Sequence, residues 1–324
     1  LAGLGTAALA MPAAAQSRGT DMLIVNALGG LGDPNAPRER GAIQGIRKRT
    51  LETRVIADAK ASGMNAVNVT LGYVAGPMDP FEHSVREIGL WDARLRHHAA
   101  DLTKVLTATD ILDARREGRI GIIYGFQNAA MMGNDASRAE IFADLGVRII
   151  QLTYNPANQI GSGSMARENG GVTPFGRTVI EALNRSRVMV DLSHSGERTC
   201  LDAAQISRQP ISINHTGCRA LTDLPRNKTD AELRAVAMKG GFVGIYFMPF
   251  LSPDSVAEPE DVVAHIDHAV NVCGEDHVGI GTDGGTTGVD DMAAYRARTR
   301  QEIAERRAAG IGAAGENPDT LPFV

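Results

Sequence analysis

Apolar residues fall along this chain in short, nearly continuous runs at 22–28, 66–71, 120–126, 147–153, 188–192, 210–214, 242–247 and 277–282. The run Ile120-Gly-Ile-Ile-Tyr124 does not alternate apolar with polar, so the strand it forms must be covered on both faces, as in a parallel sheet. Between the runs, apolar residues recur at helical spacing. Val262, Val263, Ile266, Ala269, Val270 and Cys273 do so after Glu260. Thr229-Asp-Ala-Glu232 reads as a capping box before Leu233 and Val236, and Gly240-Gly241 as the stop of that helix. The longest connection, 77–117, is predicted to hold two helices. Eight runs alternating with helices predict an α/β fold, a closed (β/α)8 TIM barrel.

Composition fits this picture. The chain has 324 residues, 43% of them hydrophobic, enough for a large core, and barrels of this length form one domain. A net charge of −5, from 33 basic and 38 acidic residues, argues against a nucleic-acid partner, and no basic patch is interleaved with aromatics. Cys200, Cys218 and Cys273 form no CxxC pair and read as buried small apolar residues. The first ten residues carry no charge, and Pro12-Ala-Ala-Ala-Gln16 follows, like the apolar core and cleavage site of a secretory signal. Residues 1–16 are therefore expected to be a signal remnant and 17–324 the barrel. The protein is expected to be exported, to the periplasm or the outside, with no transmembrane segment, since no apolar stretch is long enough to span.

In such a barrel the chemistry sits where strands end. The runs end in Asn26-Ala-Leu-Gly-Gly30, Gln127-Asn128, Thr153-Tyr-Asn155, Asp191-Leu-Ser-His-Ser195, Asn214-His-Thr216 and Gly281-Thr-Asp-Gly284. His194 and His215, on adjacent strands, and Asp283 converge on one mouth. Neutral imidazoles there are good zinc ligands, and a free carboxylate can move protons or anchor an ammonium group. The other six histidines, at 83, 97, 98, 265, 268 and 277, receive no role. Gly29-Gly-Leu-Gly32 is not a dinucleotide fingerprint, and Ser193-His194-Ser195 lacks the nucleophile-elbow pattern.

Val190-Asp-Leu-Ser-His-Ser195, Ile213-Asn-His-Thr216, Leu224-Pro-Arg-Asn-Lys-Thr-Asp230, Lys239-Gly-Gly241, Asp276-His-Val-Gly-Ile-Gly-Thr-Asp283 and Gly171-Val-Thr-Pro-Phe-Gly176 together resemble the membrane (renal-type) dipeptidase family, peptidase family M19. The resemblance implies a barrel of the metallo-dependent hydrolase type with two zinc ions, hydrolysing dipeptides. It implies that His194 and His215 hold one zinc, that Asp283 contacts the substrate amine and relays a proton, and that Arg226 binds the substrate carboxylate, a task suited to guanidinium. The chain also departs from the family. The family's first-strand His-x-Asp corresponds to Asn26-Ala-Leu28, its bridging glutamate to Gln127, and its histidine after the fourth strand to Tyr154. The family has a further helical segment past the last strand, so a shortened C-terminus is expected, with Leu321-Pro-Phe-Val324 ending mid-loop.

Two readings follow. In the first, the chain is a metallodipeptidase holding one zinc rather than two, through His194 and His215 with Gln127, Asp283 or water. Asp283 and Tyr154 are then catalytic, and Arg226 and Asp283 bind substrate. In the second, it is a non-catalytic exported barrel that binds a peptide or amino-acid-like ligand. Both take a small peptide as partner and leave a homodimer open.

Overall fold

The computed structural model describes residues 22–36 and 49–317. The signal reading at 1–16 and the chain end at 321–324 lie outside the described residues.

Among the described residues, nine strands form one parallel sheet: β1 (Val25–Gly29), β2 (Ala66–Leu71), β3 (Leu102–Val105), β4 (Ile120–Phe126), β5 (Val147–Gln151), β6 (Met189–Asp191), β7 (Ile211–Thr216), β8 (Phe242–Ile245) and β9 (Val278–Ile280). Eight of them, in the order β1-β2-β4-β5-β6-β7-β8-β9, wind into a nearly closed barrel. Among the described residues the helices are α1 (Thr53–Ala61), α2 (Pro80–His97), α3 (Ala108–Arg116), α4 (Arg138–Asp144), α5 (Pro174–Arg185), α6 (Glu197–Ile206), α7 (Asp230–Met238), α8 (Pro259–Cys273) and α9 (Met292–Ala308). All seven residues of β4 are buried, as its unbroken apolar run requires. The capping box of α7 is formed, with Thr229 and Glu232 each accepting from the other's backbone N–H.

β3 adds a ninth strand to the eight marked by the apolar runs, off the barrel path. The connection between β2 and β4 does hold two helices, α2 and α3, but Leu102-Thr-Lys-Val105 lies between them as a strand. It pairs with Ile120–Ile123, the first half of β4, while β5 takes the second half of the same edge. Four residues with a charge among them carry too little apolar signal to be read as a strand; pairing to β4 makes them one.

Closure between β1 and β9 occurs just past the strands. Asp283 N donates to Leu28 O and Gly30 N to Gly284 O, each at 3.0 Å. Asn26 locks the same seam: its Nδ2 donates to Thr282 Oγ1 at 2.8 Å and its Oδ1 accepts from Thr282 N at 3.0 Å. Gly244 and Gly281 let β8 and the end of β9 approach Asn214, whose carbonyl oxygen would lie 2.1 and 1.8 Å from a Cβ at those positions. This crowding brings the ends of β7 and β9, and so His215 and Asp283, to one side of the barrel. Asn26→Ala should lower stability by about 1–3 kcal/mol, because it leaves the buried Leu28 N–H and the half-buried Thr282 N–H without their acceptor. Denaturant unfolding reads this, and an unchanged midpoint would show that the seam closes without it.

Candidate active site

The ends of β6 and β7 are organised by one buried carboxylate. Asp191 Oδ1 accepts from Ser193 N at 3.0 Å, Ser193 Oγ at 2.5 Å and Asn214 N at 3.0 Å. Ser193 Oγ in turn accepts from His215 N at 3.1 Å. Ser193 is therefore scaffolding, in line with the rejection of a Ser-His hydrolase. Burial pushes the Asp191 carboxyl above its ordinary range.

This scaffold sets His194 and His215 side by side, their Nε2 atoms 3.0 Å apart and both rings buried. His194 Nδ1 lies 2.6 Å from Asn155 Oδ1. Asn155 is oriented by its own Nδ2, which donates to Ile311 O at 2.8 Å. An amide oxygen only accepts, so the network assigns the proton to His194 Nδ1 and leaves a lone pair on Nε2. His215 Nδ1 is buried without a hydrogen-bond partner. Burial, then the nearby Arg226 guanidinium, hold both imidazoles well below their ordinary pKa, so both are neutral.

Above the pair opens a cavity of about 790 Å³, lined by Gln127, Tyr154, His194, Arg226 and Asp283 among others. Of the strand-end residues Gln127, Tyr154, His194, His215 and Asp283, all but His215 line it directly, and the His215 ring packs against His194. Gln127 donates through Nε2 to Thr70 Oγ1 at 2.6 Å, which leaves its amide oxygen as the acceptor. Tyr154 is stacked on His194, with ring centroids 4.2 Å apart and planes at 24°. Arg226 is only 2% exposed. It donates through Nη1 to Ser193 O, and its Nη2 lies 3.3 Å from His194 Nε2. Asp283 adopts a left-handed backbone with φ 57°, a conformation that non-glycine residues adopt sparingly and that clusters at functional sites. Desolvation in this setting raises its pKa to about 6, against the pull of Arg226 and Arg306.

Several lining residues escaped the sequence reading. His83, set aside as bland, lines the cavity with Glu87 one helical turn on. Their i, i+4 spacing on α2 was the available signal. Tyr295, Thr299, Glu302, Ile303 and Arg306 form one face of α9, and that face is a wall of the cavity. Asn26 and Leu28 serve the barrel itself, Asn26 at the seam and Leu28 buried at 2% exposure.

A (β/α)-barrel that gathers two neutral histidines and an aspartate from its strand ends, and an arginine from a loop, around a deep cavity has the architecture of the metal-dependent hydrolase barrels. Residues 59–310 match the family model described as membrane dipeptidase, peptidase family M19, and the chain belongs to that family of metallopeptidases. A dipeptidase of Claviceps purpurea, tcpJ, is 32% identical over 198 residues, covering 58% of this chain and 46% of that one. An uncharacterized protein in the pqqA 5' region of Klebsiella pneumoniae is 31% identical over 218 residues, covering 64% of this chain and 80% of that one. The chain thus spans about half the length of the curated dipeptidases it matches, 46% to 56%. Among solved structures, an amidohydrolase from Pseudomonas aeruginosa shares 28% identity at a TM-score of 0.77, with 95% of this chain and 86% of that one covered. A Rhodobacter sphaeroides metallopeptidase liganded with a phosphinate mimic of L-Ala-D-Ala shares the fold, with a TM-score of 0.65, 23% identity, and 87% of this chain and 93% of that one covered.

The Asp283 carboxyl gives a pH signature. Its native pKa, about 6, lies above its ordinary value of 3.8. Its stability contribution is therefore present below pH about 4 and lost as pH rises through about 6. An ammonium ligand at Asp283 would need the ionised form, so its binding would run the other way. kcat/KM for dipeptides should rise with pH through about 6, and Asp283→Asn should abolish that limb while raising the melting temperature above pH about 6. An acid limb that survives in the variant would assign it to another group.

Proposed function

We propose that the protein is a metallodipeptidase working with one divalent ion. The observation that carries this is the convergence of two neutral imidazole Nε2 atoms under a cavity that also presents Arg226 and Asp283. The donor set suits one ion rather than two. Two imidazoles supply half of zinc's usual four-coordinate shell, and His194 has the fixed tautomer that a ligand histidine needs. No group of three or more His, Cys, Asp or Glu side chains able to hold a metal occurs among the described residues. His194 and His215 would hold the ion, with the Gln127 amide oxygen or solvent completing its shell. When bound it would polarise the scissile carbonyl and lower the pKa of a water.

The remaining work falls to the chain. Arg226 holds the substrate carboxylate, and Asp283 holds the ammonium end and takes and returns a proton. Tyr154 Oη donates to the oxygen on which charge develops. The substrate is then a small zwitterionic peptide, since each buried charge needs a counter-charge or hydrogen bonds. Hydrolysis of a mixed L,L and L,D dipeptide panel tests the reading, and turnover of none of them by zinc-loaded protein would end it.

One observation favours a second reading, a barrel that binds such a ligand without cleaving it. The Arg226 guanidinium lies 3.3 Å from His194 Nε2, so the lone pair meant for a metal already has a donor beside it. Dipeptide binding without turnover, at any metal loading, would select this reading. Among the described residues no helix is long and apolar enough to cross a membrane. Export is likewise a proposal, tested by fractionating cells that express the full gene.

A further inference from the structure

α9 carries a charged side chain onto the residue that the dipeptidase reading uses as its oxyanion donor. Arg306 Nη1 donates to Tyr154 Oη at 3.0 Å. Its Nε and Nη2 donate to Glu316 Oε1 at 3.0 and 2.7 Å. Glu316 is only 9% exposed and Arg306 27%, so this is an ion pair set into the cavity wall. All three guanidinium nitrogens are thus engaged by the protein. Its charge is paired with Glu316, and four of its five N–H donors are engaged by the protein, the second on Nη2 reaching Ile311 O at 3.5 Å.

The consequence for Tyr154 follows from donor chemistry. A guanidinium has hydrogens and no acceptor, so in this contact the phenol oxygen accepts. Its own hydrogen must point elsewhere. The ring is held against His194 on one face, and the oxygen is held by Arg306 from α9. The sector left for the O–H is the cavity, which both side chains line. Accepting a charge-assisted bond also polarises the O–H and makes it a stronger donor. The segment behind α9 acts on the neighbouring position as well, since Ile311 O fixes Asn155, which fixes His194.

We propose that Arg306, braced by Glu316, is a positioning residue that holds the Tyr154 hydroxyl as a hydrogen-bond donor aimed at the reacting carbonyl oxygen. The proposal rests on the dipeptidase reading. A cycle of three variants tests it: Tyr154→Phe, the pair Arg306→Gln with Glu316→Gln, and all three together. Replacing both members of the ion pair leaves no uncompensated buried charge, so the fold is kept. Tyr154→Phe should lower kcat by about 10²–10³-fold, the range for loss of one oxyanion donor. The Arg306/Glu316 pair variant should lower kcat by about tenfold or more, with KM within about twofold, and should add nothing to Tyr154→Phe. Losses that multiply, or a raised KM at unchanged kcat, would overturn the proposal, because Arg306 would then act on substrate directly. If the wild type cleaves no dipeptide, the dipeptidase reading fails on its own and the coupling is read from the affinity of a phosphinate dipeptide mimic. Its tetrahedral anion needs the same donor. Non-additive weakening for the phosphinate, with dipeptide affinity unchanged, supports the positioning role, and unchanged phosphinate affinity in the pair variant refutes it.

Discussion

His215→Ala is expected to lower kcat for dipeptides by about 10³-fold, the equivalent of about 4 kcal/mol of transition-state stabilisation. The same variant should lose zinc on dialysis. His215 is fully buried beneath His194 and makes no direct contribution to the cavity lining, so its removal leaves the substrate pocket in place. What it removes is one of two converging nitrogens, and a single imidazole cannot hold a divalent ion against solvent. KM should change much less than kcat, since Arg226 and Asp283, the proposed anchors for the two ends of the substrate, remain. Circular dichroism and a melting curve check that the fold is kept. Retained zinc and near wild-type kcat would remove His215 from the centre and leave the convergence of the two rings without a chemical role.

Arg226→Ala should weaken binding of free dipeptides by about 2–5 kcal/mol and barely affect a C-terminally amidated analogue, as when one partner of a buried charge pair is truncated. Part of the effect is structural. Arg226 satisfies the Ser193 carbonyl and stands against His194, so its loss loosens the turn that carries His194. That part falls on both ligands equally, so the difference between them isolates the carboxylate contact. Lysine is no conservative substitute, because one ammonium cannot keep Ser193 and also bind a carboxylate in two places. Equal losses for the two ligands would make Arg226 a scaffold residue.

Strand-end residues were legible because the barrel converts a one-dimensional pattern, a polar residue after an apolar run, into convergence at a mouth. His194, Tyr154, Gln127 and Asp283 all surfaced this way and line one cavity. Arg226 is not at a strand end, and only the likeness of its segment to a known family drew attention to it. Arg306 had no such signal. α9 reads Met292-Ala-Ala-Tyr-Arg-Ala-Arg-Thr-Arg and buries only Ile303, so it looks like a solvated helix, although its inward face carries Thr299, Glu302 and Arg306 to the cavity. Asn26 stood out as a strand-end residue, but its task, closing the barrel against Thr282 across 256 positions of chain, is a long-range pairing that no local pattern encodes. Leu102-Thr-Lys-Val105 fails for the related reason that its strand character comes from β4 rather than from its own residues.

Metal stoichiometry coupled to activity bears most directly on the central claim. Metal-free protein titrated with zinc should gain dipeptidase activity in proportion to added metal and level off at one equivalent per chain, with His194→Ala and His215→Ala flat throughout. Activity that needs two equivalents, or that is full with none, would contradict a centre built on His194 and His215 around a single ion.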